Sequence, residues 1–155
     1  MNSFISICIP AYKNTAYLDV LLRSVEIQSF RDFEVIVSDD SPDSEVEMLC
    51  KQYNTKFPLT YHKNSPALGS PANWNKAIAL AKGEFIKIMH HDDWFAKSES
   101  LSKFVKVLSE NTQSDFVFCD TEVYDVKNRT SRMAEPRPDF LLRLGKDVSV
   151  LFKDN

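Results

Sequence analysis

Glycine is scarce in this chain, with three among 155 residues. They stand apart at Gly69, Gly83 and Gly145, so neither the GxGxxG turn of dinucleotide-binding domains nor the phosphate loop of P-loop proteins can be built. Cysteine is equally sparse. Cys8, Cys50 and Cys119 form no CxxC pair and leave one over. Cys8 and Cys119 lie in apolar runs, and the pattern reads as buried free thiols in a reducing cytoplasm. No apolar run approaches the roughly 20 residues that cross a bilayer. The opening MNSFISICIPAY lacks the basic start and small-residue cleavage site of a signal peptide and reads as a strand. A basic excess is also missing: 19 Lys and Arg face 22 Asp and Glu, for a net charge of −3. That argues against a general nucleic-acid binder. There is no GxSxG elbow and no recognisable cysteine–histidine pair.

What is present is an ordinary globular composition, 43% hydrophobic and 26% charged. At this length folding buries roughly 70% of the unfolded surface, enough for one domain with a real core. Apolar runs alternate with amphipathic ones. Strands are predicted at Phe4–Ile9 (stopped by Pro10), Phe33–Val37, Leu59–His62, Phe85–Met89 and Phe116–Cys119, with strand-like Val123–Val126 close behind. Helices are predicted over Tyr17–Ile27, from an Asp43 cap to about Tyr53, over Asn73–Ala81 with Gly83 as its stop, from Ser98 or Ser100 to about Leu108, and over Phe140–Phe152. Lys63–Pro71 and Asn128–Pro138 read as loops. The alternation predicts an α/β fold, three-layer α/β/α, with a mostly parallel, Rossmann-like sheet and helices on both faces. Residues 1–155 read as a single domain without internal repeats.

The chemistry gathers where strands end. GEFIKIMHHDDWF runs from Gly83 to Phe95 and places His90, His91, Asp92 and Asp93 at the carboxyl end of a strand, where α/β folds bind ligands. Two carboxylates beside two imidazoles suit a divalent metal, and a metal there suits phosphates. Neighbouring side chains on a strand point to opposite faces, so both acids meet one ion only where the backbone turns. The alternative is that Asp92-Asp93 caps a turn, with Trp94 plugging the core. A second pair, Asp39-Asp40, ends the second strand. A carboxylate there can accept the ring N–H of uracil or guanine, or a ribose hydroxyl, and disfavours cytosine; its alternative role is an Asx-turn into Ser41-Pro42. Pro10-Ala11-Tyr12 ends the first strand, with Tyr12 either a base-stacking ring or a tyrosine covering the first helix. The run Gly69–Lys76 leads into a helix whose start attracts anions, with Asn73, Asn75 and Lys76 as donors, or is ordinary capping.

Four segments, in order, resemble a known family: SICIPAYKNTAYLDVLLRSVEIQSFRDFEVIVSDDSPD, GSPANWNKAIALAKGEF, IMHHDDW and FVFCDTEVYD. The chain resembles the family 2 glycosyltransferases of the glycosyltransferase A fold, over roughly Ser6 to Asp125. The resemblance implies that Tyr12 and Asp40 face a nucleobase, Pro10 and Ala11 shape its pocket, and Asp39 stands towards the ribose. It implies that Asn75 and Lys76 serve the nucleotide and that Asp92, Asp93 and His90 form the metal motif for Mn2+ or Mg2+. His90 stands where such a motif usually opens with aspartate, and Trp74 where many members carry arginine. The resemblance further implies that the catalytic base lies beyond residue 155, in an acceptor-binding half that this chain stops short of; Asp120 and Asp125 come too early for it.

The function so implied is metal-dependent, inverting transfer from a nucleoside-diphosphate sugar, with UDP-sugar favoured, to a saccharide or lipid-linked hydroxyl. It would belong to cell-envelope polysaccharide assembly, cytoplasmic and peripheral to the inner membrane face, with no nucleic-acid partner. Two rivals remain at this stage. One is a metal-dependent hydrolase on His90, His91, Asp92 and Asp93. The other is a receiver-like binding module, which shares the doubly wound plan but carries its acids after strands one and three.

Overall fold

The computed structural model describes residues 4–114 and 116–134. The chain divides into two compact units, Met1–Thr112 and Gln113–Asn155. In the first, β1 (Ile5–Ala11), β2 (Phe33–Asp39), β3 (Leu59–Lys63) and β4 (Phe85–Ile88) alternate with α1 (Thr15–Glu26), α2 (Glu45–Tyr53) and α3 (Ala72–Ala79), and α4 (Ser100–Glu110) follows. All strand pairings here are parallel, in the order β3-β2-β1-β4. The chain winds outward from β1 to β3, then returns to the far side of β1. The carboxyl ends of β1 and β4 therefore flank the switch point where such folds open a crevice.

Both faces of the central strands β1 and β2 are covered, which is why these two are near-continuous apolar runs. On one face Ile5, Ile7, Ile9, Val35 and Val37 pack with Leu18, Leu21, Leu22 and Val25 of α1, Val46 of α2 and Leu101 of α4. On the other, Cys8 and Ile36 pack with Ala77 of α3. The three-layer expectation is met.

β1 runs past Pro10 to Ala11 rather than stopping before it. The N–H of Met89 bonds the carbonyl of Cys8, so even-numbered β1 residues direct their backbone groups towards β4. Pro10, lacking an N–H, falls on that side just past the paired residues and costs no ladder bond. A second correction concerns the fifth strand. Residues 116–120 are not extended ladder; the second unit instead forms an antiparallel pair of β5 (Thr121–Asp125) and β6 (Thr130–Ala134). The parallel sheet thus has four strands among the described residues. Part of the expected loop Asn128–Pro138 is strand, because Asp125 Oδ1 accepts the N–H groups of Lys127 and Asn128 and closes the turn. The expected helix over Phe140–Phe152 lies outside the described residues. Of the thiols, Cys8 and Cys50 are buried as expected, but Cys119 is exposed.

Candidate nucleotide and metal site

β1, β2 and β3 end in one polar network. The N–H of Asp40 donates to the carbonyl of Ala11 at 3.0 Å, and Asn73 Nδ2 of α3 donates to the same oxygen at 3.2 Å. Asn64, just past β3, places its Nδ2 2.8 Å from Asp40 Oδ1, 3.0 Å from Ser38 Oγ and 3.1 Å from Asn73 Oδ1. Asp40 Oδ1 also accepts the N–H of Leu68, and Oδ2 accepts that of Gly69 at 2.8 Å. Gly69 has φ +73, a left-handed conformation that suits glycine. A carboxylate offers about four acceptor sites. Asp40 has three of them filled by these donors and one left, on Oδ2.

Asp39 is different. It is wholly buried, at 0% exposure. Its Oδ1 accepts the N–H of Ser41, and its Oδ2 accepts Tyr61 Oη at 2.8 Å and Lys63 Nζ at 3.0 Å. Lys63 Nζ also donates to the carbonyls of Ser41 and Asp43. Burial, and then the bond to Asp39, push the Tyr61 phenol above its ordinary range. Like Asp40 it keeps one acceptor position, here on Oδ1, but the residue is wholly buried where Asp40 is 6% exposed.

The strand-four acids sit on a turn. β4 stops at Ile88, and the N–H of Asp93 bonds the carbonyl of His90 at 3.0 Å. Asp93 Oδ2 bends back to accept the His90 N–H at 3.2 Å. The His90 ring meets the edge of Trp74 with centroids 4.5 Å apart. The first turn of α3 thus reaches both places, Asn73 towards Asp40 and Trp74 towards the β4 end. Asp92 is exposed and carries no hydrogen bond or ion pair among the described residues. Trp94 is exposed rather than a core plug; Phe95 beside it is buried.

Tyr12, just past β1, is 52% exposed, with Lys13 Nζ 4.9 Å from its ring centroid. Lys13 (φ 56) and Asn14 (φ 45) are both left-handed, a strained pairing for two non-glycine residues. The side chains of Asn75, exposed, and Lys76, half-buried, have no hydrogen bond among the described residues. The sequence marks Ser41 only through the Asx-turn alternative, which the bond from its N–H to Asp39 Oδ1 forms, and gives no signal for Tyr61, Lys63 and Asn64, although each stands at or near the end of β3.

A metal must fit this donor set. Among the described residues, no three His, Cys, Asp or Glu side chains converge into a cage. The hydrolase reading would need at least three of His90, His91, Asp92 and Asp93 gathered in that way. Asp92 instead offers one unengaged carboxylate, and Asp93 one oxygen beyond its bond to His90. That suits a hard cation of the Mg2+ or Mn2+ type, which takes one or two carboxylates and draws its remaining ligands from a substrate's phosphates.

A doubly wound parallel sheet with acidic strand ends around its switch point defines a class of α/β domain that binds its ligands in the crevice at the carboxyl ends of its strands. The chain belongs to glycosyl transferase family 2, whose model matches residues 6–153. It is 38% identical over 120 residues to the abequosyltransferase RfbV of Salmonella typhimurium, covering 75% of this chain and 35% of that protein. It is 30% identical over 125 residues to an uncharacterised glycosyltransferase of Methanocaldococcus jannaschii, covering 79% of this chain and 42% of that one. Among solved structures, S. aureus TarS residues 1–349 in complex with UDP superimposes with a TM-score of 0.65 at 29% identity, over 72% of this chain and 33% of that one. A mannosyltransferase from Pyrobaculum calidifontis, in complex with GDP-Man and Mn2+, shares the fold with a TM-score of 0.63 at 21% identity, over 70% and 33% of the two chains. The chain therefore spans well under half the length of these relatives. Family membership displaces the receiver-like reading. No helix among the described residues is long and apolar enough to cross a membrane.

Proposed function

We propose that this chain is the donor-binding portion of an inverting, metal-dependent glycosyltransferase that uses a UDP-sugar or a closely related donor. The observation that carries the reading is the remaining acceptor site on Asp40, which the first turn of α3 links to the β4 turn bearing the unengaged Asp92. Asp40 would accept the ring N–H of uracil, thymine or guanine; cytosine has none to give. Tyr12 would stack on the base, and Pro10 and Ala11 would wall its pocket through backbone. Asn75 and Lys76 would donate to the phosphates. Asp92, with Asp93 behind it, would supply the carboxylate ligands of the cation. The chemistry such a cation supplies is neutralisation of charge on the departing nucleoside diphosphate. An acceptor hydroxyl, saccharide or lipid-linked, would attack the anomeric carbon from the face opposite the leaving group, its proton taken by a general base. TarS, similar at 29% identity, has also been solved with UDP-GlcNAc, which favours uracil. Similarity to an abequosyltransferase favours a role in cell-envelope polysaccharide assembly. The buried, unpaired Cys8 and Cys50 suit the cytoplasm, with any membrane contact peripheral.

Thermal unfolding with UDP, GDP, TDP and CDP, each with and without Mn2+, tests this. A ligand at 100 times its Kd stabilises by about 2.7 kcal/mol. A Mn2+-dependent rise in Tm with UDP or TDP and none with CDP is expected, with Asp92→Ala removing the metal dependence. A flat panel from a folded protein, or unchanged metal dependence in Asp92→Ala, would overturn the reading.

A further inference from the structure

Between β1 and α1 the chain makes a turn it would not choose unaided. Lys13 and Asn14 are both left-handed without being glycine. Asn14 stands at the N-cap of α1 but makes no side-chain capping bond, so the cap does not hold the turn. What holds it comes from β2. The N–H of Lys13 donates to Ser41 Oγ at 2.7 Å, across 28 residues of sequence. Ser41 is itself fixed at both ends: its N–H donates to Asp39 Oδ1 at 2.8 Å, and its carbonyl accepts Lys63 Nζ. Asp39 and Lys63 are paired at 3.0 Å, and Asp39 is fully buried. Ser41 is 2% exposed, so its hydroxyl is an interior strut and not a surface group.

The consequence falls on Tyr12. The turn that follows it sets where its ring points and brings Lys13 Nζ over one face, 4.9 Å from the centroid, which leaves the other face for a ligand. We propose that Ser41 is a positioning residue, its backbone held by Asp39 and Lys63 so that its hydroxyl, accepting the Lys13 N–H, fixes the Tyr12–Lys13 turn and presents the open face of the Tyr12 ring to the nucleobase. This rests on the donor-binding reading above. It gives Asp39 a task matched to its burial: it orients Ser41 and touches no ligand.

A double-mutant cycle on nucleotide affinity tests it, because a residue that acts through Tyr12 has no effect once Tyr12 is gone. The dissociation constant for UDP with Mn2+ is measured by calorimetry for wild type, Ser41→Ala, Tyr12→Ala and the double variant. Urea midpoints confirm that each is folded. Ser41→Gly, which also lacks the hydroxyl and adds no bulk, takes the place of Ser41→Ala should the latter not fold. Ser41→Ala is expected to weaken UDP roughly five- to tenfold, the worth of a hydrogen bond. Tyr12→Ala should weaken it by roughly tenfold or more, the worth of a stacked ring. In the Tyr12→Ala background, Ser41→Ala should change affinity less than about twofold, within the additivity error of such cycles. Unchanged affinity in Ser41→Ala, or an equal loss in both backgrounds, overturns the assignment while leaving donor binding intact. A folded wild type that binds no UDP removes the donor-binding reading and this assignment with it.

Discussion

Gly83 shows how one residue can be necessary for a reason its neighbours hide. Its place after a helical run predicts a left-handed helix stop, yet α3 ends four residues earlier, at Ala79, and Gly83 does not take a positive φ. A Cβ there would lie 2.6 Å from the Ser6 nitrogen, 2.7 Å from Ser6 Oγ and 2.8 Å from the Ile5 carbonyl carbon. The Gly83 N–H donates to Ser6 Oγ at 2.8 Å, and that hydroxyl donates to Glu34 Oε1 at 2.7 Å. The approach is what lets the chain enter β4 beside β1. Because two of the three atoms are backbone, no rotamer change relieves the clash. Gly83→Ala is expected to destabilise by about 2–3 kcal/mol, the upper part of the range for overpacking. Urea unfolding measures it, and an unshifted midpoint would show that the β1–β4 junction yields more easily than its backbone contacts imply.

At the scale of elements, α1 and α4 are joined through one side chain. Gln28, directly after the α1 C-cap, is almost wholly buried. Its Nε2 donates to the carbonyls of Ser24 and Lys97, each at 2.9 Å, and its Oε1 accepts the N–H of Leu101 at 2.9 Å. That N–H belongs to the first turn of α4, where no intrahelical partner exists. Gln28→Leu fills similar space but strands the Leu101 N–H and takes a donor from the Ser24 carbonyl, while the Lys97 carbonyl keeps the Ser100 N–H. A loss of roughly 2–3 kcal/mol is expected, given what unsatisfied buried groups cost. Faster hydrogen exchange at the Leu101 amide should accompany it; a destabilised variant with that amide still protected would place the cost elsewhere. The same contrast explains what could be read from sequence. β1 and β2 announce themselves because burial on two faces leaves an apolar run that ends where the sheet ends, and β4 shows the same apolar signal although Ile86 and Ile88 are exposed. The acids at those ends are visible for the same reason. Phe116–Cys119 shows the identical signal without being strand, while β5 is exposed along its length and is held by an Asp125 turn that hydropathy does not register. The links that tie the strand ends together, Asn64 to Asp40 and Ser41 to Lys13, join residues 24 and 28 apart and carry no periodic mark.

For the molecule as a whole, buried acids set the alkaline limit of stability. Burial, with Glu34 adding, pushes the Cys8 thiol up to about 12. Burial, with Asp39 and then Glu47 adding, does the same to Cys50. Burial and the bond to Asp19 raise the Tyr53 phenol to about 12, and Tyr61 is raised as well. A raised folded pKa means that the unfolded chain gives up the proton first. Stability is then fully present below the unfolded values, near 9 for the thiols and 10 for the phenols, and is lost as pH climbs towards the folded ones. Across that window each thiol alone removes about 1.4 kcal/mol per pH unit. Asp19 acts at the opposite limit. Its bonds from Tyr53 and Arg23 hold its carboxyl below the usual range, so its share is present above the ordinary value of 3.8 and lost as pH falls through the lower folded value. The expected profile is a plateau bounded by a shallow acid limb and a steep alkaline one that begins near pH 9. Urea midpoints taken in reductant at pH 8, 9, 10 and 11 measure the steep limb directly. Cys50→Ala, although less stable at pH 8, should descend less steeply than wild type by about one proton's worth of slope. Parallel curves for the two proteins would mean that the Cys50 thiol ionises as readily folded as unfolded, and that the space beneath α2 is wetter than its packing against the sheet implies.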